Sequence, residues 1–273
     1  MAGSFYPAQS AALRAAVTAF VECAFPKPVG LPLRAVIAPH AGYIYSGPVA
    51  GTAFAALAKA APRPTRVALL GPSHYVAFSG LALPESEGLE TPLGVVAVDR
   101  ELASLLRGFS RVIRWEKPHQ REHSLEVQLP FLQCVVPSGL TVVPLVVGRC
   151  MPSDVADVIE SMWDMPDVVV VVSTDLSHYL PADEARAVDG RTAALVVAKN
   201  CEALDPEMAC GYYPLAGLIL AARRRGLSVD LLDLRNSGDT SGDPDRVVGY
   251  GSFAVAGSGR TAPRSRSAGE MGG

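Results

Sequence analysis

Five consecutive valines, Val168–Val172, constrain this chain more than any other stretch. A run of β-branched apolar residues without polar alternation is the signature of a strand buried on both faces, as in the middle of a parallel sheet. Apolar runs of the same kind stand at Leu33–Ala38, Arg66–Leu70 and Thr141–Val147, with later strands expected at Ser228–Leu234 and Val247–Val255. Between them lie stretches with helix-forming composition: Ala8–Cys23, Val49–Ala60, Glu122–Gln133, Ser153–Met162, Asp183–Asn200 and Tyr212–Arg225. Strands alternating with helices predict a single layered α/β domain over residues 1–256, its central sheet largely parallel or mixed and flanked by helices. From Gly257 the chain turns to Gly, Ser, Arg and Pro, which predicts a disordered tail over 257–273.

Apolar residues make up 49% of the 273 and charged residues 19%, enough for a large core. A formal charge of −3 argues against a nucleic-acid partner held by phosphate contacts. No apolar run approaches the ~20 residues of a membrane-spanning helix, and Met1–Pro7 has no signal-peptide pattern. Five widely spaced cysteines without a Cys-x-x-Cys pair suggest reduced thiols and a cytoplasmic protein. Finer expectations are a hairpin of Leu81–Leu83 with Val95–Val98 across the acidic turn Glu85–Glu90, and Asp99 capping a helix through Leu106. Ser153 is expected as an N-cap, and Asn236–Asp239 as an ordinary polar turn.

Three of the five histidines follow expected buried strands: His40, His74 and His178. The carboxyl ends of parallel strands lie along one edge of a sheet, so three such loops can converge on a metal or acid–base site. Asp175 precedes His178 by three residues and either orients it, ligates a metal, or caps its own turn. Glu122 and His123 open an expected helix and can reach the same pocket, with Glu126 on the face of Glu122. His119 sits in a polar loop and reads as surface. Cys210 stands at the mouth of a helix, where the dipole biases a thiol towards thiolate. Cys23, Cys134 and Cys201 read as small core residues, and Cys150 is ambiguous. No dinucleotide fingerprint, phosphate loop or nucleophile elbow is present.

Six motifs, in order along residues 2–256, carry a resemblance. They are Ala2-Gly3-Ser4-Phe5-Tyr6-Pro7, Pro39-His40-Ala41-Gly42-Tyr43, Gly71-Pro72-Ser73-His74, Glu122-His123-Ser124-Leu125-Glu126, Ser173-Thr174-Asp175-Leu176-Ser177-His178 and Cys210-Gly211. Together they resemble the Memo family, whose prokaryotic members are also called AmmeMemoRadiSam system protein B. The resemblance implies a fold similar to the class III extradiol dioxygenases. It implies one metal ion on His40, His74 and Cys210, iron or copper first and zinc as an alternative. Asp175 and His178 match further pocket residues, His178 where the acid–base histidine of those dioxygenases lies. Glu122, His123 and Tyr43 would surround the ligands.

Extradiol enzymes hold iron with two histidines and a carboxylate; a thiolate in the third place favours softer ions, so ring cleavage does not follow from the fold. The expected function is redox or oxygen-dependent chemistry on a small molecule. Its competitors are a non-catalytic adaptor, whose tyrosines near the pocket would grip a peptide or protein, and a zinc hydrolase. The family name also points to a radical-SAM pathway partner.

Overall fold

The computed structural model describes residues 1–60, 64–136, 138–165, 167–240 and 243–259. Helix α1 (Ser10–Glu22) turns Leu13 and Val17 inward and leads through a proline-rich break to strand β1 (Leu31–Ala38). Helix α2 (Tyr43–Ala58) starts six residues before the expected Val49, so Pro48 lies inside it. A Cβ on Gly51 would stand 2.5 Å from the Phe20 carbonyl oxygen, so glycine here lets α1 and α2 close on each other. Strands β2 (Arg66–Pro72) and β3 (Leu81–Leu83) follow. The hairpin is formed by β4 (Gly88–Thr91) and β5 (Gly94–Val98), not by Leu81–Leu83. Gly94 at φ 117 turns it, and the acidic stretch expected as a turn supplies a strand instead.

Asp99 caps α3 (Arg100–Leu106) as expected, its Oδ1 accepting from Leu102 N at 2.9 Å. After β6 (Val112–Arg114), the helix expected from Glu122 is replaced by a turn, a 3-10 segment at Glu126–Gln128 and α4 (Leu129–Val135). Pro130 lacks an N–H and fits in the first turn of a helix but not in its interior, so the helix begins beside it. Strand β7 (Thr141–Val147) precedes α5 (Pro152–Trp163), which starts at a proline and has no side-chain cap, in place of the expected Ser153 cap. The chain closes with β8 (Val168–Ser173), β9 (His178–Leu180), α6 (Ala182–Val197), α7 (Tyr212–Arg224), β10 (Ser228–Asn236), α8 (Ser237–Thr240) and β11 (Val247–Gly259). Strand β11 thus runs three residues past the expected boundary at 256; of the expected tail, 260–273 lie outside the described residues. Asn236–Asp239 is a capped helical turn, with Asn236 Oδ1 accepting from Gly238 N at 2.9 Å.

The main path of the sheet runs β10-β11-β1-β8-β2-β7-β3-β6. Strands β1, β8, β2 and β7 are parallel to one another, while β11 is antiparallel to β1 and β10, and β3 to β7. The sheet is therefore mixed around a parallel centre. Along β8, Val168, Val170 and Val172 join the core under α3, α5, α6 and α7, while Val169 and Val171 join the one under α1, α2 and α4. Period-two alternation within an all-apolar run thus serves two cores at once. Each buried valine contributes roughly 1.5–3 kcal/mol relative to an exposed one. Among the described residues no helix is long and apolar enough to cross a membrane.

This order decides where the chemistry lies. Ala38 pairs with Ser173, and Leu70 with Val172, so β1, β8 and β2 end side by side. The loops carrying His40, Asp175 and His178, and His74 leave from three adjacent strand ends.

Candidate metal centre

His40 is 2% exposed. Its Nδ1 lies 2.9 Å from Ser173 Oγ, which donates its one proton to Ser124 O at 2.6 Å and accepts from Gln128 Nε2 at 2.8 Å. With that proton spent on a carbonyl, His40 Nδ1 must be the donor, so the lone pair is on Nε2. Burial, and after it the neighbouring His74 and His123, hold His40 well below the ordinary imidazole range. It is therefore neutral at pH 7, the form that ligates.

His74 is set by Glu122. One carboxylate oxygen takes the His74 backbone N–H at 2.7 Å, and the other meets Nδ1 at 2.8 Å. Burial acts to raise Glu122, but the bonds from the His74 ring and backbone and from Ser124 N outweigh it and bring its pKa down to about 2. The ionised carboxylate can only accept, so His74 donates through Nδ1, and Nε2 is the nitrogen left to ligate. His123 stacks on His74 at 4.7 Å between ring centroids, and Phe5 stacks on His123 at 4.6 Å. Burial, then His74, lowers its pKa too. His40, His74 and His123 each bring a ring nitrogen within 4.8 Å of the others'.

Cys210 Sγ stands 3.3 Å from His40 Nε2 and accepts from Asp175 N at 3.3 Å. Gly211, the residue before α7, lets the thiol loop lie against β8: a Cβ there would meet Thr174 at 2.6 Å. The helix-mouth position is as expected, but the expected thiolate bias is not. Burial, with Asp175 adding to it, pushes the thiol up to about 12, outweighing nearby N–H groups. Without a cation the sulfur carries its proton; with one it loses it. Two donors sharing an ion at ~2.0–2.3 Å stand roughly 3.3–3.8 Å apart. The pair His40 Nε2 and Cys210 Sγ fits that spacing, while the three donors that lie within 4.8 Å of one another are on His40, His74 and His123.

Asp175 is buried, with burial raising its pKa, and its Oδ1 takes the His40 backbone N–H at 2.7 Å. It braces His40, and no hydrogen bond joins it to His178. His178 is exposed and lines the cavity. Tyr43 lies behind the site, its hydroxyl donating to Val127 O at 2.6 Å, so it braces the segment after His123. Glu126 turns away to accept from Tyr6 OH at 2.6 Å. His119 is not a surface residue: it is half-buried, with Nε2 bonded to Ala82 O at 2.9 Å. Cys201 is buried, but Cys23, expected in the core, is exposed because it ends α1.

The donors line a cavity of about 750 Å³ together with Phe5, Tyr45 and Tyr250, and with the exposed side chains of His178, Tyr179 and Arg246. Sequence reasoning missed Ser173, Ser124 and Gln128, which set the His40 tautomer. A hydroxyl closing the five-valine strand was the one available signal. It also missed Arg246, for which the polar loop before β11 offers no pattern.

A family model described as Memo-like protein matches residues 1–254. A MEMO1 family protein of Methanothermobacter thermautotrophicus is 36% identical over 274 residues, covering 92% of this chain and 96% of the relative. One from Aquifex aeolicus is 34% identical over 260 residues, covering 92% and 95%. An uncharacterized protein of Escherichia coli K12 has a solved structure that matches with a TM-score of 0.57 at 13% identity, covering 82% of this chain and all of that one. That likeness is one of fold alone.

Proposed function

The chain belongs to the Memo-like protein family, and from that premise we propose a mononuclear metal protein that carries out redox or oxygen-dependent chemistry on a small molecule. The ion is iron or copper, held by His40, His74 and Cys210. The observation carrying this reading is the approach of Cys210 Sγ to His40 Nε2, 3.3 Å, at the bottom of a cavity of about 750 Å³. A half-buried neutral thiol beside a neutral imidazole at a cavity is a good pair of soft donors. His123 is the alternative third donor. Its Nδ1 is enclosed without a hydrogen-bond partner and lies 3.5 Å from Glu122 Oε1.

When bound, iron or copper would supply one-electron chemistry that no side chain here provides. The chain's own residues do the rest. Ser173 and Glu122 hold both imidazoles by their Nδ1 protons, so the Nε2 atoms are the ones that would hold the ion. Asp175 fixes the backbone of His40. His178, exposed in the wall, moves a proton to or from the small molecule, a role typically worth ~10²–10⁴ in rate. The adaptor reading draws on Tyr75 and Tyr179, 52% and 64% exposed near the cavity.

The test is metal quantification on anaerobically purified protein. His40→Ala and Cys210→Ser each lower metal affinity on the order of 10²-fold or more, while His119→Ala leaves it unchanged. Equal metal in all three variants overturns the ligand set, and loss with His123→Ala but not Cys210→Ser replaces the thiol with a third imidazole. Zinc alone, with no spectroscopic response to dioxygen, favours the hydrolase. His178→Gln keeps its metal but loses the pH dependence of small-ligand binding at it. Loss of metal in that variant makes His178 a ligand, and no change of either kind favours the adaptor.

A further inference from the structure

Above the donors, the cavity has one strongly basic side chain among its lining residues, Arg246. Its guanidinium carbon stands 5.2 Å from the centroid of the Tyr179 ring. A guanidinium held over a ring by cation–π attraction spends no N–H on that contact, and its N–H fork is what takes a carboxylate. Among the described residues no carboxylate pairs with it. Arg121 lies likewise over Tyr75 at 5.0 Å, yet neither residue lines the cavity. Only the Tyr179 pair faces a ligand.

Tyr179 is held there by an irregular ladder. Strand β9 pairs Leu180 with Val247 and His178 with Val248, and the register shifts between them, so Tyr179 is the extra residue of a bulge. Its φ is 60. Glycine would adopt that conformation without strain, whereas a bulky side chain adopts it only where something else offsets the cost. Packing does not offset it, because Tyr179 is 64% exposed. A strained, exposed aromatic at a cavity rim points to function, and a bulge is a device for re-aiming one side chain.

The charge nearby narrows the ligand. Exposed Asp243 and buried Asp175 also line the cavity, so its charged side chains are one guanidinium and two acids. A single negative charge suits that balance better than a dianion, and the rings of Phe5, Tyr45 and Tyr250 suit an apolar body. We propose that Arg246 and Tyr179 form the recognition edge for a small monocarboxylate, its acid group on the Arg246 fork and its apolar body reaching down towards His40 and Cys210. This rests on the metal-site reading only in taking those donors as the reactive end.

The test is calorimetric titration of the full chain with benzoate, both stripped of metal and loaded with zinc as a redox-inert ion. Benzoate binds both forms, and benzamide, lacking the charge, binds at least tenfold more weakly. Arg246→Met weakens benzoate at least tenfold with unchanged Tm and zinc content, and Arg246→Lys recovers part of the loss. Tyr179→Gly relieves the backbone and still weakens benzoate several-fold. Failure of benzoate to bind, equal affinity for benzamide, or indifference to Arg246→Met overturns the proposal. Tighter binding of phenyl phosphate than of benzoate overturns the monocarboxylate assignment. Benzoate binding that needs zinc and ignores Arg246 sinks this proposal and leaves the metal reading standing. Arg246-dependent binding in a protein that takes up no zinc does the reverse.

Discussion

The two ends of the central parallel strands both bury charged groups, and they treat them differently. At the amino ends of β2 and β7, Arg66 gives Nε to Asp99 Oδ2 at 2.7 Å and Nη2 to Oδ1 at 2.9 Å. Asp99 also accepts from Leu102 N at 2.9 Å and Thr141 Oγ1 at 3.0 Å, and Arg66 reaches Glu101 at 3.0 Å. Both carboxylate oxygens of Asp99 and the Nε and Nη2 groups of Arg66 are used within that cluster. At the carboxyl ends, Ser173 and Glu122 occupy only the Nδ1 side of His40 and His74, and the Nε2 side is left for the cavity. A carboxylate with both oxygens bonded inside the protein marks a structural cluster. Satisfaction on the Nδ1 side alone, with ring nitrogens gathered within 4.8 Å of one another, marks a site.

The largest expected effect tests the structural end. Asp99→Ala removes the partner of Arg66 and the cap of α3 together, for roughly 3 kcal/mol of stability, read as a Tm lower by about 5–10 °C. Metal bound per folded chain should not change; if it falls as well, the two ends are coupled through the strands and the contrast fails. Burial acts to raise Asp99, but Arg66, Leu102 N and Thr141 outweigh it, so its folded pKa is low. Its contribution is accordingly present above the unfolded carboxylate value and is lost as pH falls through the folded one.

Glu122→Gln tests the other end with a smaller expected effect. The amide can no longer hold the His74 proton as an anion does, and metal affinity should fall ~10–100-fold while the chain stays folded at neutral pH. Glu122 is lowered from 4.5 to about 2, so its stabilisation is complete above pH 4.5 and disappears as pH falls towards 2. Urea unfolding of metal-free protein across that window should show ~1–3 kcal/mol more acid loss in the parent than in Glu122→Gln. Parallel curves would mean that Glu122 is not the anion holding His74.

Arg223→Ala sets the baseline. Arg223 and Glu202 meet at 2.6 Å on the surface, both well exposed, and solvent screens the pair. Neither Tm nor metal content should move beyond error. A clear drop in either would show that surface pairing, and not the burial shared by the two strand-end clusters, carries part of the effect.

Much of the site could be read from residue order, because each candidate sits just past an apolar run whose carboxyl end must open onto one edge of a sheet. His40 and His74 follow from that order, and Cys210 from its place at a helix mouth. The partners that give them their roles were not, since Ser173 looks like the end of a strand and Gln128 like part of a helix. The charge state of Cys210 was read in the wrong direction, because dipole arguments see the helix mouth but not the burial around it. The hairpin was assigned to Leu81–Leu83 because Gly88–Thr91 reads as an acidic turn, and only its pairing with Gly94–Val98 makes it a strand.

By itself the sequence determined the layered α/β class, the central place of Val168–Val172 and the arrival of a histidine or acid just beyond each of three buried strands. These follow from local periodicity, which reports how many faces of an element are buried. Strand order, the tautomers of His40 and His74, the raised pKa of Cys210, the entry of His123 into the donor cluster and the bulge that aims Tyr179 at Arg246 were decided by the tertiary structure. Each depends on which groups from distant parts of the chain meet in one desolvated place, and no periodicity records that.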